Sequence, residues 1–309
     1  MALVDRALAN GVRVQAWTFD EAYGRDTAFL DGLEQRAQLF VGEVPSNFHG
    51  WVLKPRVLRT GPSPRRGRKK SYPRLARRRP SSEVRNLLRY SPTFRKQRWQ
   101  RYRIKDTERG PEVWEVKYAV FWRKGADGLP GRRHCLIVAR NVLTNEVKYF
   151  VSNRVPGERG ITLRRLLVIA FQRWSVESCF RQAKEELGLD HYEVRGWRCV
   201  HRHFSLTQLS HLFCARMRQQ FDTATPRDEP LEQLTMEQVR RAMNAWLAAA
   251  LGRLTKAERL QAELDRQQYY QRRNAQARRS HTKTRKARLQ TLGIDADRIK
   301  SCLPRPSVT

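Results

Sequence analysis

Acidic residues are scarce in this 309-residue chain: 30 Asp and Glu stand against 62 Lys and Arg, a formal charge of +32. Such an excess repels itself in isolation and calls for a polyanionic partner. Nucleic acid is the first candidate, because clustered Lys and Arg release counterions when they neutralise phosphates. Long apolar runs are also missing. The longest, such as Leu166-Leu167-Val168-Ile169-Ala170-Phe171, are far too short to span a bilayer, so no membrane partner is expected. The opening MALVDRALANGVRV lacks a basic flank followed by an apolar stretch, so no secretory leader is expected. Cysteine is sparse: Cys135, Cys179, Cys199, Cys214 and Cys302 are odd in number, widely spaced and without a CxxC pair. That excludes a disulfide framework and suits a reduced, cytoplasmic compartment. Cys199, His201 and His203 alternate, but a zinc site needs further ligands at compatible spacing, and the sequence offers none. Internal repeats are absent too.

The 40% hydrophobic composition supports a packed core, and the length suits one large domain or two ordinary ones. Residues 3–9 read as a helix closed near Gly11, 12–19 as a strand ending at Asp20, 26–37 as a helix and 39–44 as a strand stopped by Pro45. Helix, strand, helix, strand is half of an α/β unit. Three strand-rich runs follow at 113–122, 135–139 and 147–151, separated by Gly- and Asn-containing turns, and an antiparallel meander is expected there. The strongest helical pattern covers 161–187, with Thr162 placed to cap it and Gly188 after its last turn. Further helices are expected near 203–220 and 234–251, and the charged tail from 255 to 300 is helical in propensity.

Residues 54–105 differ in character, with twenty Lys or Arg against one acid, Glu83, or +19 of the total charge. Pro and Gly punctuate the first part, so 60–82 reads as an arm ordered on a partner. Arg65, Arg66, Arg68, Lys69 and Lys70 are its candidate DNA contacts. Tyr90, Phe94, Trp99 and Tyr102 interleave the later cations. They can stack bases or pack the edge of the next sheet.

In the long helix, Arg173, Glu177 and Lys184 are four and seven residues apart and fall on one stripe. One account is a solvated ion pair with a lysine nearby. The other is catalytic: enzymes that cut DNA hold metal ions between carboxylates, one at a strand end and one on a helix, while cations steady the phosphates. Asp20 ends a strand, and Glu177 sits on a helix among cations.

The spacing Arg173-x3-Glu177-x6-Lys184 resembles three of four positions of the Tyr-x2-Arg-x3-Glu-x6-Lys signature of DDE transposases of bacterial insertion sequences. Ala170 stands at the tyrosine position. The segment GLDHYEVRGWRCVHRHFSLTQLSHLF (188–213), the segment WTFDEAYGRD (17–26) and the tail piece YYQRRNAQARRSHTKTR also resemble members of that branch. The resemblance implies an α/β chain: an incomplete ribonuclease H-like catalytic core with an inserted β-rich subdomain and a helical C-terminal region. The divisions are then 1–45 for the partial core, 46–160 for the basic arm and insertion, 161–225 for the glutamate helix and its successor, and 226–309 for the basic tail. It further implies Asp20 and Glu177 as catalytic metal ligands, Mg²⁺ or Mn²⁺ as cofactor, and Arg173 and Lys184 on DNA phosphates. The partner is double-stranded DNA, both transposon ends and target, with self-association on that DNA, in the bacterial nucleoid. The first catalytic Asp of the family lies on an earlier strand, and only nineteen residues precede Asp20. The chain is therefore expected to be an N-terminally truncated copy, inactive alone. The alternative is a non-catalytic, basic DNA-binding remnant or a modulator of a full-length transposase.

Overall fold

The structure is a computed structural model describing residues 1–59, 72–76, 79–107, 109–224, 234–250 and 257–302. They form two compact units, one within 1–106, 111–173 and 288–303, the other within 107–110 and 174–287.

The first unit is built on an eight-stranded mixed sheet. Its strands are β1 (Trp17–Phe19), β2 (Phe40–Val44), β3 (His49–Trp51), β6 (Ser82–Glu83), β7 (Gln100–Thr107), β8 (Gly110–Lys124), β9 (Pro130–Asn141) and β10 (Val147–Ser152). The order is β1-β2-β10-β9-β8-β3-β6, with β7 also on β8; β4 (Val57–Leu58) and β5 (Arg74–Leu75) pair separately. Strand β2 is parallel to β1 and antiparallel to β10. The runs expected as an inserted β-rich subdomain are thus not a sheet of their own: Tyr149–Ser152 register on Val44–Val41 and continue the sheet of β1 and β2.

Period-two alternation sends side chains to two faces. Phe40, Val44, Leu136, Val138, Tyr149 and Val151 face one way, where α1 (Ala2–Ala9), α3 (Thr27–Gln35), α4 (Val84–Tyr90) and α5 (Pro92–Arg95) supply Val4, Leu30, Leu33, Val84, Leu87 and Phe94. Val41, Cys135, Ile137, Ala139 and Phe150 face the other way, against Leu163, Leu166, Leu167, Ile169, Ala170 and Phe171 of α6 (Leu163–Gln172). Each large aliphatic or aromatic side chain buried in this way contributes roughly 1.5–3 kcal/mol. Ala170, at the signature's tyrosine position, is one of these core residues and is turned to the sheet.

The expected strand 12–19 forms only over Trp17–Phe19. Ala37, at φ 54°, turns the chain after α3, and pairing starts where Trp17 N donates to Leu39 O at 2.8 Å. Residues 12–15 have no partner on β2 and are exposed. Gly42 is required at its place, since a Cβ there would strike the Phe19 ring.

The helix expected over 161–187 is two elements, α6 and α7 (Trp174–Leu187), joined at Arg173. Thr162 caps α6, its Oγ1 accepting from Arg165 N at 3.1 Å. The burial changes at the joint. Leu163 through Phe171 bury one face of α6, whereas Ala183 is the buried residue among the described side chains of α7. In the second unit α7 is followed by α8 (Trp197–Ala224), α9 (Met236–Ala250) and α10 (Ala257–Thr291). Cys214, Met236 and Val239 are buried there, with Leu187, Met217 and Met243 against them. Among the described residues no helix is long and apolar enough to cross a membrane.

The interleaved aromatics divide. Phe94 is fully buried. Trp99 is half-buried between Lys117 Nζ at 4.7 Å and the Arg140 guanidinium at 4.6 Å. Tyr90 is exposed, with Arg89 beside its ring at 5.4 Å. Packing therefore accounts for Phe94 and Trp99.

A buried charged pair ties α3 to β9. His134 Nδ1 lies 2.8 Å from Arg132 O and Nε2 lies 2.5 Å from Glu34 Oε1. A carbonyl can only accept, so Nδ1 carries a hydrogen. Nε2 faces the Glu34 carboxylate. Burial alone would push the Glu34 carboxyl up; the His134 contact and the charges of His134, Arg123 and Arg132 outweigh it and hold the group below its usual range. The folded state then binds fewer protons than the unfolded one around the usual value of about 4.3. The stability is complete above that value and is lost as pH falls below it. Glu34→Gln is expected to destabilise the chain by on the order of 3 kcal/mol in urea unfolding at pH 7. It should also flatten the fall in stability between about pH 5 and 3. An equally steep acid limb in wild type and variant would refute this role.

Candidate functional site

Asp20 follows β1 directly. It has extended backbone angles and is the N-cap of the short helix α2 (Glu21–Gly24). Its Oδ1 accepts from Ala22 N at 3.1 Å and from Tyr23 N at 3.4 Å. The strand end and the cap together fix the direction of the carboxylate, and both bonds are made by Oδ1.

Glu177 and Lys184 lie on α7 in the second unit. Both line an open pocket of about 410 Å³ with Phe180, Arg181, Glu185 and Asp190. Arg181, Glu185 and Asp190 are additions that helical spacing from Glu177 did not single out. Gly188, at φ 68°, ends the helix, and Leu189 N donates back to Ala183 O at 3.0 Å. That reversal returns Asp190 to the pocket. The glycine after the helix was its visible signal, but where the following acid would point was not readable.

Arg173 belongs to the first unit. Its Nη2 lies 3.9 Å from Glu43 Oε2, and Lys148 Nζ donates to Glu43 Oε1 at 2.9 Å. Glu43 is a buried acid in the middle of an apolar strand, and the sequence reading passed over it. The stripe Arg173, Glu177, Lys184 is therefore divided between units: its first cation meets a sheet carboxylate, and its other two members share the α7 pocket.

The carboxylates are hard donors of the kind divalent cations take, Asp20 in the first unit and Glu177, Glu185 and Asp190 in the second. Within each unit the ligand set is incomplete. Among the described residues no three His, Cys, Asp or Glu side chains form a group able to hold a metal ion.

The arm residues Arg65, Arg66, Arg68, Lys69 and Lys70, and most of the segment 60–82, lie outside the described residues. Elsewhere the basic character persists. Between 266 and 294 the sequence holds nine Lys or Arg and no acid, nearly all on α10. Its Arg272, Arg273, Arg279 and Lys283 are exposed. Like charges one or two turns apart oppose a helix by a few tenths of a kcal/mol per pair, unless an anion neutralises them.

A family described as DDE superfamily endonuclease matches residues 1–111 of the chain. The matched stretch contains Asp20, β1, β2 and the basic segment. The match supports a relationship to DDE-type transposases and endonucleases, which act on DNA and generally use divalent metals. No curated protein matches the chain.

The two roles open to Asp20 separate experimentally. Asn caps a helix about as well as Asp, whereas Ala forfeits about 1 kcal/mol. Asp20→Asn is expected to leave the melting temperature within about 2 °C of wild type while removing any metal-dependent DNA nicking. Asp20→Ala should lower both. Nicking by Asp20→Asn at the wild-type rate would leave the residue as a cap alone.

Proposed function

We propose that the chain is a DNA strand-cleaving and strand-joining protein of the DDE transposase kind, specific to insertion sequences. The observation that carries this reading is the endonuclease match over residues 1–111, which encloses the strand-terminal Asp20. The Arg173-Glu177-Lys184 spacing supports it independently. In this reading Asp20, in the first unit, and Glu177, in the second, are each a ligand of a divalent metal, Mg²⁺ or Mn²⁺. When bound, the metal supplies a lowered pKa for the attacking hydroxyl and charge stabilisation at the leaving oxygen.

The chain's own residues hold and orient the DNA. Lys184 and Arg181, lining the pocket of Glu177, offset the charge of the phosphate and of the nearby carboxylates. Arg173 reaches the backbone from the end of α6, steadied by Glu43. The carboxylates accept the proton that the attacking water or 3′-hydroxyl gives up. In the first step the oxygen of water bonds to phosphorus, the P–O3′ bond breaks, and the 3′ oxygen leaves as a hydroxyl. In the second step that hydroxyl attacks a target phosphorus and displaces the target's 3′ oxygen. Holding the attacking oxygen in line is where positioning contributes most.

A second reading, grip without cutting, is favoured by one observation: within each unit the described carboxylates stop short of a metal-binding group. The basic surface would then bind DNA, or modulate a transposase of complete site. The two readings part in one assay. Supercoiled plasmid is incubated with the purified chain and Mg²⁺ or Mn²⁺, beside Glu177→Gln. The enzymatic reading expects nicking that Glu177→Gln lowers by at least a hundredfold, with DNA affinity within about twofold of wild type. Absent nicking with affinity retained selects the gripping reading. Collapse of affinity in Glu177→Gln would make the glutamate structural and reject its assignment.

A further inference from the structure

The first unit carries a concave site of its own. An open pocket of about 290 Å³ is lined by Arg25, Thr27, Pro45, Asn47, Phe48, His49, Lys124, Gly125 and Ala126. Three basic side chains reach it from three parts of the chain: Arg25 from the C-cap of α2, His49 from the start of β3 and Lys124 from the end of β8. No carboxylate is among its lining residues.

Neighbouring cations contrast with these. Arg123 pairs with Asp31, Arg132 with Glu34 at 3.4 Å and Arg133 with Glu158 at 2.6 Å. Lys124 and Arg25 form no ion pair among the described residues, and His49 meets Ser81 Oγ at 3.3 Å. Arg25 Nε donates to Glu21 O at 3.5 Å, and three nearby acids are engaged elsewhere. Asp26 Oδ1 caps α3, accepting from Ala28 N at 2.9 Å and Phe29 N at 3.2 Å. Asp127 Oδ1 accepts from Leu129 N at 3.0 Å, and Glu83 is held by Arg85 at 2.6 Å. The pocket is thus a concavity with positive potential and neutral donors at Asn47 and Thr27. Neither catalysis nor the packing of the sheet uses it. Buried phenylalanine at its floor, Phe48, keeps one wall dry and strengthens the field of the cations.

We propose that this pocket is a phosphate-binding site for the backbone of double-stranded DNA, seating one phosphodiester between Arg25 and Lys124 with His49 and Asn47 as further donors. A guanidinium offers paired N–H donors to a phosphate, and the lysine offers a mobile point charge. The inference rests on the reading of the chain as a DNA-acting protein. Arg25 lies five residues after Asp20 and just past α2, so a strand seated there is held by the same local element that carries the candidate ligand. Its role is positioning.

The test uses the full chain and the double variant Arg25→Gln/Lys124→Gln, with duplex affinity measured by fluorescence anisotropy over a salt series. Both side chains are exposed, and an unchanged melting temperature verifies the fold. Each lost duplex phosphate contact should reduce the slope of log K against log salt by about 0.9. The expected result is a slope flatter by about one and an affinity weaker by roughly tenfold at moderate salt. Charge reversal, Lys124→Glu, should weaken binding further. Wild-type binding with an unchanged variant overturns the inference and leaves the DNA-acting reading standing. Wild type that binds no DNA overturns that reading and the inference with it. An RNA duplex of the same length that shows the loss while DNA does not also overturns it. So does inorganic phosphate that shifts the His49 ring signals while DNA affinity ignores the substitutions, because the pocket would then be a small-anion site.

Discussion

Charge imbalance is the constraint on which the rest depends. Two cations for every acid leave the fold unable to pair its Lys and Arg one for one, so the placement of the acids determines where positive potential survives. In the first unit several are placed where burial would otherwise make a charge costly. Glu34 sits under His134 and Arg132, Glu43 between Lys148 and Arg173, and Glu115 between Arg101 and Arg140. Asp106 holds Arg103 through two bonds of 2.8 Å. The pairs of Glu34, Glu43 and Glu115 join neighbouring elements, and removing one partner would leave a desolvated charge. Other cations stay at the surface, on α10 and around the first-unit pocket. An anionic partner would therefore relieve self-repulsion as well as bind.

Local chemistry was legible in the sequence because its causes are local. The cap at Thr162, the end of α7 at Gly188, and the strands β2, β8, β9 and β10 each follow from residues within a few positions of one another. Pairing between distant strands was not legible. The sequence at 147–151 reads the same whether β10 ends a separate meander or pairs with β2, and only the fit of Tyr149–Ser152 onto Val44–Val41 decides it. The same limit explains β1. Alternation at 12–16 favours a strand, but pairing needs a partner, and the turn at Ala37 places the start of β2 too late to supply one.

For the candidate site, helical spacing found Glu177 and Lys184, which do line one pocket. It did not anticipate that Arg173 belongs with the sheet unit. On an ideal helix three residues at 173, 177 and 184 are neighbours, yet the apolar face that holds α6 to the sheet stops at Phe171, and the compact units divide after Arg173. Glu43 was missed for a related reason. Periodicity marks β2 as a buried strand and gives an acid within it no meaning until its cationic partners, far along the chain, are known.

Asp20 shows how capping and chemistry reinforce each other. A carboxylate that serves as a ligand or a base must be held in one direction, and an exposed aspartate has several rotamers. Two backbone N–H groups on Oδ1 remove much of that freedom, at a place where helix initiation needs an acceptor in any case. The ordering is then a property of the fold. A serine would cap as well but could not carry the charge. Asp at the end of β1 thus satisfies the local need of the helix and holds a carboxylate in one direction there.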